Sequence, residues 1–273
     1  MNRIKNKPCI PITPKWKCNW PLRSNWLCVI TLIIFEWFTQ NCIEIAININ
    51  SNLAHLVKTE PFVFQNAIKL FRALLWLLII YFFSGSRSVR SFWSNVRLNQ
   101  RPTLAGWVAA WVAILISIID RYGATNNWTS PNQITRGFFH EGGGALLFYV
   151  IYVGTLGPFF EEIAFRGFLY SGLRCKYGQV ATTFLVLCVM AYFHLSAMGH
   201  SLWTPLCLLS LWALICLTQE RTQNLWNCIL CHAGYNICAG LAFPACLVAM
   251  IAILPICIWR NKHQSTSDHD HQS

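Results

Sequence analysis

Long stretches of the chain carry almost no charge, and this feature constrains it most. Apolar runs fall at about 26–46, 62–84, 104–119, 144–173, 179–198, 202–218, 224–240 and 243–259. All but the fourth are close to the roughly 17–25 residues that cross a bilayer as a helix. Of 273 residues, 55% are hydrophobic and 11% are charged, and mean hydropathy is +0.42. Too little charge remains to cover a water-facing surface, because soluble domains carry about 25% charged residues. A soluble enzyme and a disordered chain are therefore excluded. Continuous runs rather than alternating short strands also exclude an outer-membrane barrel. The expected fold is all-α, a polytopic helical membrane bundle of about eight transmembrane helices.

Net charge is +11. The cations sit in short loops and in the first 24 residues, where Arg3, Lys5, Lys7, Lys15, Lys17 and Arg23 occur without an acid. Topology explains this better than nucleic acid does. With eight spans, five basic segments fall on one side: the N-terminal arm, the loop with Arg87, Arg90, Arg97 and Arg101, the turn with Arg174 and Lys176, the loop with Arg221, and the tail with Arg260 and Lys262. The excess of cations on the cytoplasmic side then predicts a multi-pass protein with both termini in the cytoplasm, the arm touching anionic headgroups. The expected organisation is a basic arm (1–24), N-terminal transmembrane helices (25–141), a core (142–242), a last span (243–260) and a polar, His-rich tail (261–273). The first run is full length, contains Glu36 and Glu44 and lacks a small-residue cleavage site, so it is expected to be a retained span. Most of the 13 cysteines lie in apolar runs and are expected to pack as small apolar residues without a disulfide framework.

The fourth run is too long for one simple span and is broken by Gly154 and Gly157-Pro158, so a kink is expected at Pro158. Directly after it come Glu161, Glu162 and Arg166. Each buried ionisable group costs at least about 2.5–3.5 kcal/mol, so three within six residues need a reason. An ion pair between Glu162 and Arg166, which share a helix face at i,i+4, accounts for two of them. Glu161 lies about 100° round the helix from Glu162 and is left for other work.

His194 and Glu161 are equidistant from the turn at Cys175–Gly178. In an antiparallel hairpin both then sit about 20 Å from that turn, at one depth. His232 and Asn236, again i,i+4, lie about 13–20 Å in from the loop at Arg221, within about a turn of the other two. Singly, each reads as an ordinary interhelical hydrogen-bonding residue. As three polar clusters at one depth they read as a site. Cys228-Ile-Leu-Cys231-His232 matches a haem-attachment pattern but sits inside an apolar span, where haem has no pocket. His55, His140 and His200 read as loop histidines. Glu36, Glu44, Lys69 and Arg72 are expected to snorkel or pair near run ends.

The order Glu-Glu-x-x-x-Arg at 161–166, histidine at 194 and His-x-x-x-Asn at 232–236 resembles the CPBP intramembrane endopeptidases, among them the type II CAAX prenyl proteases and bacterial Abi proteins. The resemblance covers about residues 142–242. The family places Phe four residues before the middle histidine, where this chain has Met190. The resemblance implies a protease that hydrolyses a peptide bond of a membrane-associated or prenylated, CAAX-type substrate without an acyl-enzyme. Glu161 is then the general base with His194, His232 and Asn236 stabilise the oxyanion, and Glu162 and Arg166 support them. The implied partners are the bilayer and a protein or peptide, with no nucleic acid and no cofactor. A His₂Glu zinc set of Glu161, His194 and His232 is the second choice; the chain lacks H-E-x-x-H. A catalytically silent membrane scaffold or bacteriocin-immunity-type protein is the competing function. A transporter or proton relay is weaker, because no second half repeats the Glu-Glu-Arg segment.

Overall fold

The computed structural model describes Trp16, residues 20–52, His55, and residues 61–125, 150–195 and 202–240. The basic arm apart from Trp16 and residues 20–24, the span at 243–259, His140, His200 and the tail lie outside the described residues.

Every element among the described residues is helical. They are α1 (Leu22–Ile49), α2 (Pro61–Phe83), α3 (Val89–Asn95), α4 (Leu104–Thr125), a composite α5 (152–174), α6 (Gln179–Phe193), α7 (Trp203–Thr222) and α8 (Leu225–Gly240). Seven of these coincide with the apolar runs. The eighth, α3, was not expected, because it lies in the polar loop at 85–101. It owes its start to Ser88 and Ser91: Ser91 N–H donates to Ser88 Oγ at 3.1 Å, and Ser88 N–H donates to Ser91 Oγ at 3.3 Å. This reciprocal cap satisfies two amides that the first turn leaves open. Leu22–Ile49 and Leu104–Arg121 are long and apolar enough to cross a membrane, and Gln179–Phe193 is a shorter apolar helix.

The outer face is apolar too. Trp37, Phe82 and Val180 are 66%, 78% and 84% exposed. A belt of such residues is tolerated against lipid, not against water.

The fold centres on α5. It begins with a π-helical turn, Tyr152–Leu156, continues as α-helix through Gly157–Glu162, widens again over Ile163–Tyr170 and ends as Ser171–Arg174. The break expected at Pro158 takes this form. Pro158 has no N–H, and the wide turn before it, closed by Gly157 N–H on the Tyr152 carbonyl, lets the chain continue without a sharp bend. The second wide segment, Ile163–Tyr170, is buried throughout. It packs against α1, α2, α6, α7 and α8.

Small residues and side-chain amides set the helix spacing. A Cβ on Gly106 would meet Asn227 at its side chain and at Cα, so α4 and α8 cross there at close range. Asn227 Nδ2 donates to Thr103 Oγ1 at 2.9 Å, and its Oδ1 accepts from Thr103 N–H at 2.9 Å. Asn224 caps α8: its Oδ1 accepts from Trp226 N–H at 3.0 Å while its Nδ2 reaches the Arg101 carbonyl at 2.6 Å. These contacts hold α8, which carries His232 and Asn236, at one height along α4.

Candidate active site

The two carboxylates of α5 point in different directions. Glu162 is fully buried and accepts from Arg166 Nη1 at 3.1 Å and from His232 Nδ1 at 2.8 Å. Arg166, also fully buried, donates from Nη2 to the Trp212 carbonyl at 3.1 Å. The expected i,i+4 pair is present. Its link to His232 was not expected, and it ties α5, α7 and α8 into one polar network.

Glu161 faces a cavity of about 360 Å³ lined by residues of α1, α2, α5, α6 and α8. Its side chain is 30% exposed. Its Oε2 lies 3.7 Å from His194 Nε2 and 3.9 Å from His232 Nε2. Oε2 is buried and makes no direct hydrogen bond. Both distances exceed a direct bond. Glu161, His194 and His232 therefore meet around one point, on three separate helices or helix ends.

The orientation of each imidazole is fixed from behind. His194 Nδ1 is 2.9 Å from the Met190 carbonyl, an acceptor only, so Nδ1 carries the proton and Nε2 faces Glu161. Its ring packs on Trp212 with centroids 5.0 Å apart. His232 Nδ1 is held in the same way by Glu162. Position 190 thus contributes its backbone oxygen, which any residue supplies. The side chain of Met190 is buried in the core.

His194 is not inside a helix. α6 stops at Phe193, short of the expected 198, and His194 is its C-cap at φ −116° and ψ 16°. A residue that has left the helix turns its side chain where a helical residue cannot, here across to α5.

Asn236 lines the same cavity and donates from Nδ2 to the Val153 carbonyl at 2.9 Å, joining α8 to the first wide turn of α5. Gly154 allows this approach: a Cβ there would lie 2.6 Å from Ile237 Cγ1.

Sequence reasoning missed the opposite wall. Glu36, Lys69, Arg72 and Trp76 line the cavity, and of the expected snorkelling or pairing it is pairing that Glu36 and Arg72 show. Arg72 pairs with Glu36, and Trp76 Nε1 donates to Glu36 Oε1 at 2.9 Å. The available signal was depth, since Glu36 stands mid-way along α1 and Arg72 mid-way along α2. Trp76, Phe165 and Phe193 close one side as an aromatic triangle with centroids 5.1–6.0 Å apart.

The Cys228–Cys231–His232 pattern is dispersed. Cys228 Sγ lies 3.2 Å from Gln219 Oε1, Cys231 Sγ lies 3.5 Å from the Ala109 carbonyl, and His232 is engaged by Glu162. Among the described residues no group of three His, Cys, Asp or Glu side chains is gathered closely enough to hold a metal ion.

Three hydrogen-bond acceptors, the Glu161 carboxylate and two imidazole Nε2 atoms, converge on one point beside the cavity. Such a point suits a small molecule with O–H bonds to donate, and a chain of adjacent backbone carbonyl and amide groups can reach it through the cavity.

Residues 143–238 match the family model "Type II CAAX prenyl endopeptidase Rce1-like". The matched segment contains all six residues singled out above and ends two residues past Asn236. It covers about a third of the chain and includes none of α1, α2 or α4, so Glu36, Lys69 and Arg72 stand outside it. No curated protein and no solved structure matches the chain. The match falls on the segment in which the motifs resemble that family, and it points to a membrane-embedded protease acting on protein or peptide substrates.

Proposed function

We propose that this chain is an intramembrane endopeptidase that uses a glutamate-activated water to cleave a peptide bond of a membrane-associated or CAAX-type prenylated substrate. One observation carries the reading: Glu161 Oε2 stands 3.7 and 3.9 Å from two imidazole nitrogens whose far sides are pinned by Met190 and Glu162.

A water at that point donates one O–H to Glu161 and the other to His194 Nε2, and turns a lone pair toward the substrate carbonyl. Glu161 takes the proton as water attacks, and a tetrahedral oxyanion forms. The amide of Asn236 supplies an N–H toward that oxygen. His232 assists once its Nε2 carries a proton, with Glu162 as counter-charge. Preorganised donors of this kind are worth about 3–4 kcal/mol each. Glu161 then returns its proton to the leaving amine, so no covalent enzyme intermediate is needed. Glu162 and Arg166 act through His232 and through the packing of α5, not on the substrate.

The topology that fits this function has both termini on the cytoplasmic side, with the site roughly 20 Å from the Cys175–Gly178 turn. The test is cleavage of a farnesylated CAAX peptide by protein in lipid nanodiscs, for wild type, Glu161→Ala and His194→Ala. Loss of cleavage in both variants supports the reading, and full activity in Glu161→Ala removes it.

A further inference from the structure

Asp120 is an intramembrane carboxylate with no part in the reaction above. It stands sixteen residues after Leu104, about 24 Å along α4, in the stretch Leu104–Arg121 that is apolar enough to cross a membrane. An acid at that place is costly. Its Oδ2 accepts from the Tyr235 hydroxyl at 2.6 Å, and its Oδ1 is buried without a hydrogen-bond partner among the described residues. A carboxylate with one oxygen left unsatisfied adds little to the stability of a fold, so stability does not account for it. Ser117, one turn earlier on the same face of α4, donates from Oγ to the Tyr235 carbonyl at 3.0 Å. Tyr235, itself buried, is thus held by α4 at both its side chain and its main chain.

Tyr235 immediately precedes Asn236. Successive residues of a helix point about 100° apart, so fastening one sets the bearing of the next. Asn236 points to α5, where its Nδ2 donates to the Val153 carbonyl at 2.9 Å and its side chain lines the cavity. The contacts of Asn224, Asn227 and Gly106 hold α8 near its start, more than two turns before Asn236. Tyr235 is held right beside it.

We propose that Asp120 is a positioning residue, which through Tyr235 sets the rotation of α8 at which the Asn236 amide meets the oxyanion. This rests on the endopeptidase reading above and adds to it a device carried by α4, outside the segment that matches the family. Strength and direction both favour a carboxylate here over an apolar contact. A charge-assisted hydrogen bond is about twice as strong as a neutral one and fixes a direction, whereas apolar burial is non-directional.

The experiment uses full-length protein in lipid nanodiscs and three variants: Tyr235→Phe, which removes only the hydroxyl, Asp120→Leu, and Asp120→Asn, which keeps an acceptor oxygen. Two quantities are read. One is turnover of the farnesylated peptide. The other is the pair of side-chain amide resonances of Asn236 in protein carrying isotope-labelled asparagine, assigned by their loss in Asn236→Ala. Tyr235→Phe and Asp120→Leu are expected to lower kcat about tenfold or more with KM within about twofold, because the oxyanion contact is made only in the transition state. Asp120→Asn recovers most of that loss. In an Asn236→Ala background Tyr235→Phe costs less than about a further twofold, since the group it places is gone. A kcat in Tyr235→Phe within about twofold of wild type overturns the proposal. So does a loss that persists undiminished in the Asn236→Ala background, which would make the pair a general prop of the bundle. The resonances read the placement without cleavage. They are expected to shift in Tyr235→Phe and Asp120→Leu and to return toward wild type in Asp120→Asn, and unmoved resonances overturn the proposal. Tyr235→Phe decides alone should Asp120→Leu fail to insert. Shifted resonances in a protein that cleaves nothing remove the protease and keep the placement of Asn236 by Asp120. Cleavage with Asn236 unmoved does the reverse.

Discussion

His232 turns Nδ1 to the Glu162 carboxylate at 2.8 Å and thereby presents Nε2 to Glu161 at 3.9 Å. The two adjacent glutamates of α5 consequently contact opposite nitrogens of one ring. Glu162 sets which nitrogen carries the proton, and Glu161 meets the other.

Changing Glu162 to Gln leaves an oxygen for His232 but removes the charge facing both the imidazole and Arg166. Cleavage is expected to fall at least about tenfold, as when a carboxylate behind a working histidine is neutralised. Glu162→Ala is expected to do something different. It strands the buried Arg166, and breaking a buried pair costs about 3–5 kcal/mol. Detergent-solubilised Glu162→Ala should therefore unfold at clearly lower temperature than wild type, and Glu162→Gln should lie between them. Equal melting temperatures for wild type and Glu162→Ala would contradict the network described.

Glu161 should behave in the opposite way. Its Oε2 is buried without a direct hydrogen bond, so it adds function and not stability. Glu161→Gln is expected to lose cleavage by about 100-fold or more, the range of a general base, while melting at or above the wild-type temperature. A large stability loss with activity retained would instead mark the polar cluster as packing in a membrane scaffold.

The helical class, seven of the eight described helices and the shared level of Glu161, His194 and His232 were legible in the sequence. Apolar run length and residue counting from a turn are one-dimensional quantities, and they survive folding. Glu161 and His194 could be put at one height because rise per residue is constant along a helix. What could not be read was direction. Counting predicted a helical His194, whereas the chain leaves α6 at that residue, and this is what turns the ring toward α5. The Glu162–His232 bond was hidden for the same reason, since it depends on how α8 is rotated against α5, which Asn224, Asn227 and Gly106 determine at the other end. The Glu36–Arg72–Trp76 wall joins residues 36 or more apart in two helices that carry no motif.

Gly154 offers a test of spacing rather than chemistry. A methyl group there would lie 2.6 Å from Ile237 Cγ1, near the root of that side chain. The contact sits beside the Asn236–Val153 hydrogen bond. Gly154→Ala is expected to push α8 away from the first wide turn of α5 and to cost about 1–3 kcal/mol, the usual range for overpacking. Cleavage should fall several-fold through displacement of Asn236. Thermal melting together with turnover of the prenylated peptide checks both effects. Gly178→Ala is a control with nothing within 4 Å of the added carbon, and should change neither.

Removal of metal should leave cleavage unaffected. A zinc ion bound at about 2.0–2.2 Å to nitrogen and oxygen in tetrahedral geometry draws its donor atoms to about 3.3 Å from one another. Glu161 Oε2 stands 3.7 and 3.9 Å from the two Nε2 atoms, so both imidazoles would have to move inward. Each is held from behind, His194 by the Met190 carbonyl and Trp212, and His232 by Glu162. The same spacing suits a water that donates one O–H to Glu161 and the other to His194 Nε2, because each O–H···O or O–H···N bond spans about 2.5–3.0 Å and tolerates a range of angles. Incubation with EDTA followed by gel filtration is therefore expected to leave cleavage of the prenylated peptide within about twofold of untreated enzyme, and elemental analysis of purified protein should find zinc well below one per chain. Stoichiometric zinc, with activity lost to the chelator and restored by zinc alone, would replace the glutamate–water mechanism by a His₂Glu metal site built from the same three side chains.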